Sequence, residues 1–166
     1  MSITGWTYGQ AANAPVLASE TNGTANVTYL YESTDGKGYS AANAPANAGS
    51  YKLTVTFAAT SEYSACTAAA EFTISPKAVT VTAEAKTKVY GEADPALTYQ
   101  ADGLVTGEAL TGALAREASE DAGEYAITQG TLTNENNPNY TIAFTGAKPA
   151  IAKRTAEAAP AVTGWI

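Results

Sequence analysis

The side chains most capable of chemistry in this sequence are carboxylates that lie close together around one short segment. Glu117 and the Glu120-Asp121 pair supply them, and two carboxylates with different pKa values are what acid–base catalysis requires. The chain has no histidine and a single cysteine, Cys66, so Cys–His and Ser–His catalytic pairs and an internal disulfide are excluded. Asp121 also opens a turn sequence, in which an aspartate accepts backbone N–H groups. The sequence therefore predicts a structural role for Asp121, and no enzyme activity or cofactor.

Two oxygen-rich segments suit a calcium site in ligand type alone. Asn134-Glu135-Asn136-Asn137 and Asp35 offer hard oxygen ligands of the kind that Ca²⁺ takes. Their spacing matches no calcium-binding loop, and asparagine is common in turns because its side chain bonds to the local backbone. No metal site is predicted.

A few lysines have the neighbours that an intramolecular isopeptide bond needs. Lys52 with Asn47 and Glu71, or Lys88 with an asparagine, has the residue types of a Lys–Asn bond assisted by a buried acid. A lysine opposite a glutamate on neighbouring strands is more often an exposed cross-strand pair. Burial of such a charged trio is also costly unless it reacts, so the cross-strand pair is the favoured interpretation.

The aromatic residues are the remaining candidates for binding. The chain has ten tyrosines and two tryptophans, and most of them occupy alternating strand positions that predict a core. An exposed aromatic patch tends to mark an interaction site, and aromatic faces stack on sugars. The candidates for facing a ligand are Tyr29, Tyr31, Tyr39 and Tyr99.

The overall charge argues against two classes of partner. The net charge is −7 and the isoelectric point is near 4.5, whereas nucleic acids and anionic membranes attract clustered lysine and arginine. No run approaches the roughly 18 apolar residues of a membrane span, and the N-terminal residues lack the basic and apolar regions of a secretory signal. We expect no nucleic-acid partner and no membrane insertion in this fragment.

One short motif occurs twice and organises the chain. Asn47-Ala48-Gly49-Ser50-Tyr51 and Asp121-Ala122-Gly123-Glu124-Tyr125 each precede a run of period two. Glycine lets the chain reverse there, and a tyrosine that enters a strand can pack inward while its hydroxyl bonds back to the loop, as in a tyrosine corner. Asn47, Gly49, Tyr51, Asp121, Gly123 and Tyr125 are therefore predicted to form two structural corners. The exchange of Asn for Asp between the copies fits a turn and not a catalytic carboxylate.

Short strands separated by regular turn signals predict an all-β chain of two tandem modules. Residues 1–77 form the first module, residues 78–154 the second, and residues 155–166 a linker with the start of a following module, since Val162-Thr163-Gly164-Trp165 echoes Ile3-Thr4-Gly5-Trp6. Each module is an Ig-like β-sandwich or a β-grasp-like fold. At most one short helix is expected, at Gly103–Leu110, and a strand at Ala113–Ala118.

Segments of the second module resemble the YGX-type MBG repeat. They are Lys88-Val89-Tyr90-Gly91-Glu92-Ala93-Asp94-Pro95, Gly103-Leu104 to Gly107-Glu108, Asp121-Ala122-Gly123-Glu124-Tyr125-Ala126-Ile127 and Asn139-Tyr140-Thr141-Ile142-Ala143-Phe144. The first module, with Gly5-Trp6-Thr7-Tyr8-Gly9 and Ala70-Glu71-Phe72-Thr73-Ile74, is similar to a bacterial immunoglobulin-like repeat. The resemblance implies tandem repeats of a secreted, adhesin-like protein of the bacterial cell surface, with adjacent repeats as partners and no catalytic residues.

Three functions are consistent with this resemblance. The leading expectation is a stalk or spacer that holds another domain away from the cell. The alternative is that the modules themselves bind a glycan or a protein of a host or neighbouring cell. A weaker alternative is a pair of accessory domains in a larger extracellular enzyme.

Overall fold

A computed structural model describes residues 1–17 and 26–156 of the chain. The described residues are all β, with thirteen strands and no helix, so the predicted fold class is confirmed. Among them no helix is long and apolar enough to cross a membrane. The predicted start of a following module, at residues 162–165, lies outside the described residues.

The first half of the structure, as defined by its strand pairing, is one five-stranded sheet in the order β1-β5-β4-β2-β3. Its strands are β1 (Trp6–Thr7), β2 (Val27–Ser33), β3 (Ser40–Ala41), β4 (Gly49–Phe57) and β5 (Cys66–Ser75). Period-two alternation along β4 buries Tyr51, Leu53 and Val55 on one face. Trp6 and Phe72 stack there with ring centroids 5.1 Å apart, so the core of this half is centred on aromatic rings.

The second half contains three small sheets, in the orders β12-β6-β8, β10-β13-β7 and β11-β9. Its strands are β6 (Lys77–Ala83), β7 (Lys88–Val89), β8 (Tyr99–Asp102), β9 (Ala115–Arg116), β10 (Gly123–Glu124), β11 (Ile127–Thr128), β12 (Tyr140–Thr145) and β13 (Ala150–Ala152). Val79 and Val81 alternate with threonine on β6 and pack with Leu110, Leu132 and Tyr140. This second core is built on one face of the β12-β6-β8 sheet.

Three strands of the second half repeat part of the strand order of the first, since β7-β13-β10 corresponds to β1-β5-β4. In the first half β1 pairs parallel with β5 through Trp6 and Ile74, and in the second β7 pairs parallel with β13 through Lys88 and Ile151. The strand that carries a corner motif pairs antiparallel with β5 in one case and with β13 in the other. The repeat inferred from short motifs therefore extends to topology.

Two predicted elements differ from the structure. Gly103–Leu110 is a loop of turns and not a helix, because Gly103 and Gly107 have φ of +98° and +87°, which no right-handed helix contains. The strand expected at Ala113–Ala118 shortens to β9. A β-grasp fold needs a helix across its sheet, so this alternative loses the element on which it depended, and a sandwich fits the all-β content.

Candidate functional site

The two corner motifs have the same hydrogen bond but different burial. The Tyr51 hydroxyl donates to the carbonyl of Asn47 at 2.9 Å, and the Tyr125 hydroxyl donates to the carbonyl of Asp121 at 2.9 Å. Tyr51 is 3% exposed and stacks on Phe72, whereas Tyr125 is half-buried beneath the guanidinium of Arg116.

A side-chain cap by Asp121 does not form. The main-chain N–H of Asp121 instead donates to Ser119 Oγ at 3.2 Å, and within the described part of the chain no N–H group donates to the Asp121 carboxylate. A serine two residues earlier already supplies the acceptor, so the carboxylate stays in solvent. In each motif an added Cβ on the glycine would lie 3.2 Å from its own tyrosine hydroxyl, at Gly49 and at Gly123. The glycine therefore makes room for the tyrosine.

The first corner contacts the second half of the molecule. The N–H of Ala48 donates to Asn139 Oδ1 at 2.9 Å, and Asn139 Nδ2 donates to Asn47 Oδ1 at 3.1 Å. Ala48 is 4% exposed. The corner thus serves two purposes, since it closes its own sheet and receives an amide from the next module.

The Tyr8-Gly9 turn makes the second contact between the halves. Tyr8 packs against both hydrophobic cores, and its ring meets the ring of Tyr140 edge to face with centroids 5.4 Å apart. Tyr8 and Tyr140 each donate a hydrogen bond to a different carboxylate oxygen of Glu108, both at 2.5 Å. Gly9 lies so close to Val105 that an added Cβ would sit 2.5 Å from Val105 Cγ2. We call this set of contacts, together with those of Asn139, the junction.

The hydrogen bonds of the junction shift the titration of its groups. The hydroxyls of Tyr140 and Tyr8 hold the pKa of Glu108 below its ordinary value, because they stabilise the carboxylate. In turn the bond to Glu108, with burial, raises the pKa of Tyr8 to about 12. At neutral pH the junction therefore joins a carboxylate to two neutral phenols.

A second cluster of polar side chains lies in a cleft of the second half. The ammonium of Lys88, whose side chain is 5% exposed, lies 2.6 Å from Asp94 and 2.5 Å from Glu120. Arg116 contacts Asp94 at 2.7 Å and covers the ring of Tyr125. The hydrogen bonds from Lys88 and Arg116 lower the pKa of Asp94, and those to Asp94 and Glu120 raise the pKa of Lys88. The cluster is electrically balanced, and the lysine is kept as a charged ammonium that is a poor nucleophile.

The cleft itself has the size of a small-molecule site. Its volume is about 660 Å³, within the roughly 300–1,000 Å³ of ligand pockets. Its apolar wall includes Leu97, Leu114, Pro149 and Ile151. The arrangement offers an apolar surface beside paired charges, which suits a neutral ligand with several hydroxyl groups better than an ion.

Comparison with known families assigns part of this chain. Residues 79–148 match the family model described as MBG domain (YGX type). An MBG domain is thus found at residues 79–148. The match does not reach the first half, where the immunoglobulin-like repeat stays a prediction. No curated protein and no solved structure matches the chain.

The MBG domain contains the acceptor side of the junction and most of the cleft. Val105, Glu108, Asn139 and Tyr140 all lie within the matched residues, while Tyr8 and Ala48 belong to the preceding half. The junction therefore joins an MBG domain to a neighbour. The sequence placed Asn47 in a corner and Tyr8, Glu108, Asn139 and Tyr140 in segments that resemble known repeats. It did not bring them together, because the Glu108 carboxylate is 100 residues from Tyr8 in the chain.

The candidate ligand-facing tyrosines do not form one surface. Tyr31 is 6% exposed and belongs to the first core, so its assignment to the surface is wrong: it alternates on β2 toward the buried face. Tyr39 packs edge-on against Tyr51 and donates to the carbonyl of Asn43. Tyr99 packs against the core of the second half. Tyr29 alone of the four is exposed, at 36%.

Each lysine of the possible isopeptide sites pairs with a carboxylate. Lys52 lies opposite Glu71 on β5 and pairs with Glu32 at 3.8 Å on the other side, so it belongs to a cross-strand charge pattern. Asn47 is occupied at the junction. Lys88 contacts the carboxylates of Asp94 and Glu120, and no asparagine of residues 1–17 and 26–156 bonds to it.

The asparagine-rich turn serves the backbone. Asn134 Oδ1 accepts the N–H of Ile142 at 2.8 Å, and Asn137 Oδ1 accepts the N–H of Thr111 at 2.7 Å. Asp35 lies in the other half and pairs with Lys37 at 2.9 Å. Across residues 1–17 and 26–156, no three acidic, histidine or cysteine side chains group as metal ligands.

Proposed function

We propose that this chain is a non-catalytic stretch of tandem modules from a secreted bacterial surface protein, in which it acts as a stalk or spacer. The observation that carries this proposal is the junction. A spacer has a defined length only if neighbouring modules keep a fixed orientation. Tyr8 supports such an orientation, because its ring packs against both cores and its hydroxyl donates to Glu108. The MBG domain at residues 79–148 and the partial repeat of strand order, β1-β5-β4 in one half and β7-β13-β10 in the other, support the same function.

The connection between the halves adds to this stiffness. Strand β5 ends at Ser75 and β6 begins at Lys77, so a single residue, Pro76, separates them. Proline fixes its own φ and restricts the residue before it. Backbone bonds flank this residue, since Tyr8 N–H donates to Ser75 and Lys77 N–H donates to Asn139. Such a connection leaves little room for the modules to swing.

A distance measurement between the halves tests the spacer function. Cys66 is free and exposed in the first half, and Glu135→Cys adds a second exposed label position in the other half. Spin labels on the two should give one narrow distance distribution. Tyr8→Ala is expected to broaden it, with Tyr90→Ala as the matched control outside the junction. A broad distribution in the chain with an intact junction contradicts a spacer.

The cleft supports a second candidate function, the binding of a neutral glycan by the MBG domain. The cleft is lined by the charged side chains of Lys88, Asp94, Arg116 and Glu120 as well as by its apolar wall. A glycan array with the whole chain tests this function. Hits should be lost in Arg116→Gln and kept in Lys52→Gln, which removes an exposed ion pair that does not line the cleft. An array without reproducible hits leaves the spacer as the function of both modules.

A further inference from the structure

The turn at Tyr90-Gly91 of the MBG domain repeats the turn at Tyr8-Gly9 that forms the junction. In the first half, Tyr8 N–H donates to the carbonyl of Ser75, and Gln10 N–H donates to that of Thr7. In the second half, Tyr90 N–H donates to the carbonyl of Ala152, and Glu92 N–H donates to that of Val89. The two turns thus have the same backbone bonds to equivalent strands.

The side chains of the two turns also match. The Gln10 side chain accepts the N–H of Thr7 at 3.1 Å, and the Glu92 side chain accepts the N–H of Val89 at 2.9 Å. Gly9 and Gly91 have φ of +81° and +86°. The Tyr90-Gly91 turn of the MBG domain therefore has the same conformation as the Tyr8-Gly9 turn, which contacts the neighbouring module.

The two turns and their corners differ in the residues that pack against them. An added Cβ at Gly9 would collide with Val105, whereas at Gly91 its nearest neighbour would be Arg154 Nη1 at 4.0 Å. Ala48 is 4% exposed and its N–H is bonded to Asn139, while Ala122, at the equivalent place in the second corner, is exposed. Tyr90 is 50% exposed, although a tyrosine at this place in the first half packs into a core.

We propose that Tyr90, Gly91 and the Asp121-Ala122 corner form a docking surface for a further module of the MBG type. That module would supply a carboxylate to the Tyr90 hydroxyl, a branched apolar side chain over Gly91, and an amide to Asp121 and the Ala122 N–H. These are the roles of Glu108, Val105 and Asn139 in the existing junction. The inference rests on the proposed spacer function and extends it to a repeating contact.

The existing junction also decides against a second copy of the chain as the occupant. In the MBG domain, Glu108, Val105 and Asn139 are already in contact with the first half of the same chain. A second copy would have to give up this contact to dock, so the occupant is a module whose acceptor groups are free.

The proposed docking surface differs in charge from the equivalent surface of the first half, which forms the existing junction. Gln10 and Asn47 are neutral, and their equivalents Glu92 and Asp121 are acidic. An incoming carboxylate is therefore repelled more strongly here than at the existing junction, and salt screens such repulsion between exposed groups. Docking at this surface should become tighter as the salt concentration rises.

The test is a fusion in which Lys153 is followed directly by a second copy of residues 77–156. This register is set by the equivalent strand partners Ile74 and Ile151. Amide hydrogen exchange is then followed by NMR at Ala122, with Ala48 as the internal reference. We expect exchange at Ala122 to slow by about tenfold or more in the fusion, as for an amide that opens only with a packed interface. Asn139→Ala in the appended copy alone should reverse the effect.

Unchanged exchange at Ala122, in a fusion whose appended module gives its own folded amide signals, overturns the inference. Slow exchange in the natural chain that depends on protein concentration also overturns it, because a second copy would then be the occupant. The label distance between the original halves reports separately on the spacer function. It can stay narrow while the docking surface fails.

A graft decides the question if the appended module does not fold. Gln10→Glu with Asn47→Asp gives the first half the acidic residues of the proposed docking surface, both at exposed positions. Exchange at Ala48 should then stay within about threefold of the natural chain at high salt. Loss of its protection at all salt concentrations, as in Tyr8→Ala, shows that these acids prevent docking and overturns the inference.

Discussion

Removal of one hydroxyl at the junction tests whether the two halves are held together by specific contacts. Tyr8→Phe keeps the ring between the two cores and against Tyr140, but removes the bond to the Glu108 carboxylate. A hydrogen bond to a charged group contributes about 1.5–3 kcal/mol. Glu108 is exposed, so water replaces part of this bond. We expect Tyr8→Phe to lower the free energy of unfolding by about 1 kcal/mol.

The assay is urea unfolding of four proteins that form a double-mutant cycle: the natural chain, Tyr8→Phe, Glu108→Gln and the double variant. A direct bond predicts an interaction energy of at least about 0.5 kcal/mol between the two sites. Tyr90→Phe is the matched control, since this tyrosine occupies the equivalent turn and is half-exposed. Its effect should lie within about 0.5 kcal/mol of zero. Equal losses for Tyr8→Phe and Tyr90→Phe, or additive effects in the cycle, would refute the reasoning.

Three further predictions follow from the same contacts. The folded-state pKa of Glu108 is lowered and that of Tyr8 is raised to about 12. The contribution of Glu108 to stability is therefore complete above its unfolded pKa of about 4.3 and is lost as pH falls through the lowered pKa. The contribution of Tyr8 is complete below its unfolded pKa of about 10 and is lost as pH rises toward 12. Both appear as a steeper pH dependence of unfolding in the natural chain than in Tyr8→Phe. Lys88→Met should change the free energy of unfolding by less than about 1 kcal/mol, because Asp94 and Glu120 can turn to solvent and the apolar side chain fills the buried site. Lys88→Ala leaves a cavity there and should cost about 2 kcal/mol. Thermal unfolding of both variants measures the difference. Tyr51→Ala should cost about 4 kcal/mol and Tyr125→Ala about half as much, in line with their burial; equal costs would contradict the difference between the two corners.

The features that sequence reasoning captured are carried by neighbours in the chain. The Tyr51 and Tyr125 bonds reach back four residues, and the alternation along β4 and β6 follows from the two-residue period of a strand. Each half contains a Tyr-Gly pair, Tyr8-Gly9 and Tyr90-Gly91, and the turns at Gly9 and Gly91 have matching backbone bonds.

The features that it missed depend on chain segments that are far apart. Tyr29 and Tyr31 are two residues apart on β2 and so lie on the same face of the strand. Their positions along β2 relative to the core make Tyr31 buried and Tyr29 exposed. The helix expected at Gly103–Leu110 failed because its glycines take positive φ to fit the turns of a packed loop.

The sequence by itself determined the all-β fold class and the position of the two corner motifs, and it predicted two related units. Period-two alternation, turn residues and repeated motifs act within a few residues of the chain. Only the tertiary structure decided which of the two Tyr-Gly turns is covered, and that Lys88 meets an acid 32 residues away. Both outcomes depend on how separate strands come together, and burial and distance-dependent electrostatics then act between residues that carry no local signal of one another.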